Sequence, residues 1–216
     1  TEVSELHVIR IFDNDNFRLT NPAGLTFSTS SNAFHVVETG TLAQPLTENS
    51  DIVKVAPYAE RQGAARLATA IENPANVAFD NYHNRLLILK AAPAILITVE
   101  ENEDGVLNSM TLARYGVRQF ALQDPQGVTV NPATGELYIL DSVGPRLVHV
   151  MPDATGSFDN AVITQIDLQP TGLAAPQGLA YDPTTDSLYV FDSEANHLVA
   201  FTPSGQLLRP PDLAAP

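Results

Sequence analysis

One segment recurs four times in this chain at nearly constant pitch: a proline corner, a short apolar strand, a polar turn and a second apolar strand. The copies begin at Pro22, Pro74, Pro125 and Pro176, so the pitch is 52, 51 and 51 residues. Self-similarity at such a period marks a repeat architecture, in which each unit buries its apolar faces only against its neighbours. The units read NPAGLTF…AFHVVE, NPANVAF…RLLILK, DPQGVTV…ELYILD and APQGLAY…SLYVFD. Their second strands agree column by column, as Phe34/Leu86/Leu137/Leu188, Val36/Ile88/Ile139/Val190 and Val37/Leu89/Leu140/Phe191.

Each unit resolves into four short strands. Strand a (25–27, 77–79, 128–130, 179–181) alternates large apolar residues with the small Thr26, Ala78, Thr129 and Ala180, the two-residue period of a strand on a crowded face. Turns rich in Asn, Asp, Gly, Ser and Thr lead into strand b, as hairpins require. Strand c follows at 52–55, 96–99, 147–150 and 198–201. A more polar strand d closes the units at 65–70, 109–114 and 161–166, with counterparts at 6–12 and 206–209. The helix-like text at 58–71 is interrupted by Gly63 and lies where the repeat expects a strand. The fold class is therefore all-β: a β-propeller of four tandem four-stranded blades of about 51 residues, forming one domain over 1–216. Two closures fit. In one the N-terminal strand completes the last blade of a four-blade ring. In the other Leu213-Ala214-Ala215-Pro216, echoing Leu173-Ala174-Ala175-Pro176, opens a fifth unit of a longer array. In either, Val36, Ile88, Ile139 and Val190 are expected between blades.

The formal charge of −14, from 25 acids against 11 bases, repels phosphate backbones and anionic lipid, so neither nucleic acid nor a bilayer is an expected partner. Without cysteine there is no disulfide, thiolate metal site or cysteine nucleophile. The longest apolar run, 91–99, contains Pro93 and falls short of the ~18 residues of a membrane span. The chain opens at Thr1 without a leader, which reads as a processed or excised protein. The expected location is exported: periplasm or cell surface.

Pro-x-Gly-apolar-small-apolar, a turn, then apolar-aromatic-apolar-apolar-Asp resembles the NHL-repeat family of β-propellers. The likeness is sharpest in 125–152 and 176–203, through Leu137-Tyr138-Ile139-Leu140-Asp141 and Leu188-Tyr189-Val190-Phe191-Asp192. The first two units carry Glu38 and Lys90 in place of the closing Asp, and the second carries Asn76 in place of the corner glycine. The resemblance also implies an enzymatic option. Sugar-lactone hydrolases of the gluconolactonase type are propellers that hold one divalent ion through carboxylates and an asparagine. Glu38, Asn76 and Asp141 would then be hard oxygen ligands for calcium. That family's motif does not match residue by residue, so no catalytic residue is assigned.

In a propeller the d–a and b–c loops share one face, which gathers Glu38, Asn76, Lys90, Gln126, Asp141, Gln177 and Asp192 at the channel mouth. One reading is a polar funnel for a ligand. The other is that Asp141 and Asp192 accept backbone N–H bonds in tight loops. Lys90, a cation among acids, is placed to pair with Asp141 or Glu38. The first unit's b–c connection carries eight extra residues within 39–50, with Leu42, Pro45 and Leu46 offered on the same face to a partner or the channel mouth. The acidic runs 13–16 and 100–105 read as solvated turns; the first lacks the glycine and glutamate of an EF-hand. The histidines form no ligand pair. His35, in the column of Tyr138 and Tyr189, reads as packing, and His149 as half-exposed. No Gly-x-Ser-x-Gly elbow, Walker loop or dinucleotide fingerprint occurs. The expected function is a non-catalytic binding or scaffold module, without a cofactor, for a protein partner or the subunits of a larger assembly. The alternatives are a metal-dependent small-molecule hydrolase working at the channel mouth and a structural subunit of a larger complex.

Overall fold

A sheet with large apolar residues on both faces must be covered on both sides, and this chain achieves that by stacking its units face to face. The computed structural model describes residues 19, 21–38, 52–65 and 74–208. They form four antiparallel four-stranded sheets, each a simple meander. The first blade is β1 (Pro22–Ser28), β2 (Ala33–Glu38), β3 (Ile52–Val55) and β4 (Arg61–Ala65). The second is β5 (Pro74–Asp80), β6 (Arg85–Ala91), β7 (Ala94–Glu100) and β8 (Ala113–Gly116). The third is β9 (Pro125–Val130), β10 (Leu137–Asp141), β11 (Arg146–Met151) and β12 (Val162–Asp167). The fourth is β13 (Pro176–Asp182), β14 (Ser187–Asp192), β15 (His197–Phe201) and β16 (Leu207–Leu208). Inner strands pack in succession, β1 beside β5, β5 beside β9 and β9 beside β13. All four line a central cavity of about 570 Å³. The molecule is a four-bladed β-propeller.

Local chemistry repeats with the blades. The hairpin between strands a and b turns through a left-handed residue at one column, Asn32, Asn84, Gly135 and Asp186, types that tolerate positive φ. The side chain closing strand a caps that turn. Ser31 N–H donates to Ser28 Oγ, Tyr82 and His83 N–H to Asp80, Ala133 N–H to Asn131, and Thr184 N–H to Asp182. At the proline corner the pairing slips, as between Pro74 and Asn76, because proline has no N–H for the ladder.

The outer strands depart from expectation. The first blade's fourth strand is Arg61–Ala65, and the expected 65–70 lies outside the described residues beyond Ala65. In the second blade 109–114 is divided. Asn108 accepts from Met110 N–H and caps a 3₁₀ turn at Ser109–Thr111, and the strand starts only at Ala113. In the third it is shifted by one residue, to Val162–Asp167. The strand expected at 6–12 lies outside the described residues, and that at 206–209 forms as Leu207–Leu208.

The core is a series of inter-blade layers. Val37 and Ile52 of the first blade meet Leu86, Ile88, Ile97 and Val99 of the second. Leu87, Leu89 and Leu96 then meet Val128, Ile139 and Val148 of the third. Tyr138, Leu140 and Leu147 meet Leu188, Val190 and Phe201 of the fourth. Thus Ile88, Ile139 and Val190 lie between blades. Val36 is also buried, but on the first blade's outward side with Val53 and Val55, against Leu19 and Ala59. Ile139 is fully covered, so Ile139→Ala should cost about 2–5 kcal/mol in urea unfolding. A loss below about 0.5 kcal/mol, the size of an ordinary surface substitution, would contradict this layer.

Candidate functional site

The seven residues expected at the channel mouth divide by chemistry. The four ionisable ones, Glu38, Lys90, Asp141 and Asp192, are buried. The amides are not: Asn76 and Gln126 are half-buried and Gln177 is exposed.

The carboxylates close strand b and reach the loop just before each proline corner. Glu38 Oε1 accepts from Asn21 N–H at 3.3 Å. Asp141 accepts from Gln123 and Asp124 N–H at 2.9 and 2.8 Å. Asp192 accepts from Ala174 and Ala175 N–H at 2.6 and 3.3 Å, and from Glu194 and Ala195 N–H at 3.0 Å. The backbone N–H groups of Ala195 and Ala174, with those of Ala175 and Glu194, hold the Asp192 carboxyl below its usual range. Arg146 Nη2, 2.7 Å from Asp141, is the cation on that carboxylate, in place of the expected Lys90. Leu42, Pro45 and Leu46, with the rest of the insertion, lie outside the described residues.

The central cavity is walled mainly by neutral groups, among them Thr26, Asn76, Asn81, Thr129 and Tyr181. Among the described residues no group of three or more His, Asp or Glu converges as a metal site would require. A second cavity of about 720 Å³ opens at the rim between the first two blades, with His35, Lys54, Glu60, Arg61, Glu103 and Asp104 in its walls.

Beside that crevice lies a polar cluster that the sequence reading missed. Glu101, expected in a solvated turn, is buried and ties the second blade to the first. Its carboxylate accepts from Ser28 Oγ at 2.7 Å, Ser30 Oγ at 3.2 Å, His35 Nε2 at 3.1 Å and Lys54 Nζ at 3.3 Å. Burial pushes the carboxyl up, but hydrogen bonds led by those from His35 and Ser28, with the His35 charge, bring it down to about 2. His35 also stacks on Phe79, centroids 5.4 Å apart and rings nearly parallel, so its packing role stands beside a polar one. His149 is half-buried, stacked on Tyr138 and 3.2 Å from Glu136. A second tie joins the second and third blades. Buried Asp80 holds Arg85 Nε at 2.9 Å and His83 Nδ1 at 2.7 Å, while Arg85 donates to Gly156 O and lies over the Phe158 ring. For the second tie the signal was the repeat itself, since Asp80 sits in the column of Ser28, Asn131 and Asp182; for Glu101, in a run of acids, the sequence carried none.

No protein-family model matches the sequence, and no curated protein matches it significantly. Solved structures do match. A periplasmic gluconolactonase from Pseudomonas aeruginosa superposes with TM-score 0.61 at 14% identity over 88% of this chain and 57% of its own. A chain of a nidogen–laminin complex gives TM-score 0.57 at 19% identity, over 85% of this chain and 61% of its own. A streptogramin B lyase gives 0.57 at 13%, over 87% and 53%. This chain therefore spans a little more than half the length of these structures, and the likeness is one of fold.

The depressed Glu101 value fixes a pH dependence. A carboxyl that titrates lower when folded stabilises the protein fully above its unfolded value, near 4.5, and loses that contribution as pH falls toward about 2. The stability difference between parent and Glu101→Gln should therefore be largest at neutral pH and shrink between pH 4.5 and 2, read by urea unfolding at each pH. A difference independent of pH would contradict the cluster. Lone surface pairs would leave little difference at any pH.

From sequence and structure together, the four repeats of this chain are the four blades of a β-propeller.

Proposed function

We propose that this protein is a non-catalytic binding or scaffold propeller of the NHL-like kind, working in an exported or surface-assembled setting through contacts with a protein partner. The observation that carries this reading is the fate of the mouth residues. Glu38, Asp141 and Asp192 spend carboxylate oxygens on backbone N–H groups, so they brace the proline corners. The polar groups with solvent access are the amides Asn76, Gln126 and Gln177, which bind by neutral hydrogen bonds and supply no general acid or base. A propeller in a nidogen–laminin complex supports the partner-binding use of such a scaffold, and the acidic, cysteine-free composition and a periplasmic neighbour support an exported location.

The competing reading is a calcium-dependent lactone hydrolase with Glu38, Asn76 and Asp141 as ligands. Calcium bound to the folded state would raise the melting temperature by mass action. The scaffold reading predicts no change in melting temperature when calcium is added after chelation, and no lactone hydrolysis above the uncatalysed rate. A saturable calcium-dependent rise, together with hydrolysis lost in Asp141→Asn, would overturn it.

A further inference from the structure

Between the second and third blades, and between the third and fourth, the outer strand helps to fill the gap to the next blade. On β8, Tyr115 stands opposite Leu96 and Ala113 opposite Thr98. Tyr115 is 7% exposed, its ring edge-on to Phe158 of the third blade. On β12 the same two columns hold Ile166, opposite Leu147, and Thr164, opposite His149, and Ile166 packs into the layer shared with the fourth blade. On β4 they hold Ala65, opposite Ile52, and Gly63, opposite Lys54. A Cβ added at Gly63 would meet nothing within 4 Å. The rim cavity of about 720 Å³ between the first two blades follows from these two small residues, and both line it. Its size is that of a small-ligand site.

The charges on its walls differ in sign from one blade to the other. The first blade brings Lys54 and the exposed Arg61, with Glu60 beside it. The charged residues that the second blade brings are acids, the exposed Glu103 and Asp104. Glu101, buried beside them, already accepts from Ser28, Ser30, His35 and Lys54. Lys54 Nζ spends two of its three donors on Glu101 and Gly105 O, which leaves one. A second feature of the wall is His35. It is 1% exposed, its Nε2 is held on Glu101, and its Nδ1 is buried with no hydrogen-bond partner. A buried polar atom left unmet is costly, and a polar group entering the crevice removes that cost.

We infer that this crevice binds a short zwitterionic peptide, its carboxylate turned to Lys54 and Arg61 and its ammonium to Glu103 and Asp104. Opposite charges on opposite walls favour a ligand that carries both, whereas a simple anion or cation loses at one wall what it gains at the other. A peptide also offers His35 Nδ1 both N–H donors and carbonyl acceptors. It therefore satisfies that atom as the lone pair of a neutral ring or as the N–H of an imidazolium. A single amino acid would leave most of a cavity this large unfilled, so a chain of about three or four residues is the better match. The crevice shares no residue with the channel mouth, so the inference does not rest on the scaffold reading.

The test is a titration of the full chain with trialanine, followed through the backbone amide resonances of Gly63 and Gly105. Both signals should shift saturably, while that of Gly178 in the central cavity stays in place. N-acetyl-trialanine amide, the same chain without its charged ends, should bind about tenfold more weakly, the loss expected when charge-assisted hydrogen bonds are removed. His35→Gln keeps a donor for Glu101 and removes Nδ1. It should weaken trialanine binding by a similar factor while circular dichroism stays unchanged. Gly63→Leu puts a side chain into the crevice and touches no polar group, so it should abolish the shift at Gly105 and serves if His35→Gln misfolds. The absence of a saturable shift, equal binding of the blocked peptide, or undiminished binding by Gly63→Leu would overturn the proposal.

Discussion

Face-to-face packing of sheets that are apolar on both sides is the constraint on which the rest of this structure depends. In β6, Leu86, Leu87, Ile88 and Leu89 are consecutive and all fully buried. A strand read that way cannot belong to a sheet with one wet face, because every second side chain would stand in water. At about 25 cal/mol per Å², exposing one such face costs several kcal/mol, and a 51-residue unit has no other core to draw on. Each blade therefore depends on its neighbours for stability, and the chain folds as a stack.

That stack leaves its polar chemistry at the two ends of the blades. At the channel mouth, Asp141 and Asp192 satisfy N–H groups of the loops before Pro125 and Pro176, which would otherwise lack partners in the turn. At the opposite end, Glu101 and Arg85 reach across blade boundaries to Ser28, His35 and Gly156. Each is a buried charge held by several hydrogen bonds, the condition under which burial is tolerated and removal of one partner is damaging. The result is a frame braced at both ends by buried polar groups, around a cavity walled mainly by neutral side chains.

The column agreement of strand b made the blades legible, since burial on both faces forces one residue size at each position of every unit. The second-strand columns Ile88, Ile139 and Val190 sit where their periodicity places them. The outer strands were less legible, because one side of strand d faces solvent and sequence pressure there is weak; Asn108 could take up a 3₁₀ turn without disturbing the core. The carboxylate columns were visible as recurring Asp, and their geometry agrees with backbone bonding. Glu101 was not legible. It stands in a run of exposed acids, Glu100 to Asp104, and only the approach of Ser28 and His35 from another blade distinguishes it. The exposure of Phe191 and Leu198, 40% and 39%, was equally hidden, because in the sequence they look like any other members of their columns.

The most direct measure of the account is native-state hydrogen exchange resolved to the b strands. Opening free energy should follow the number of covered faces. The account predicts that amides of β6 and β10, sealed on both sides, exchange slowest, and that those of β14 exchange markedly faster. Protection of β14 equal to that of β10 would contradict it, because a blade would then be holding itself together without its neighbour.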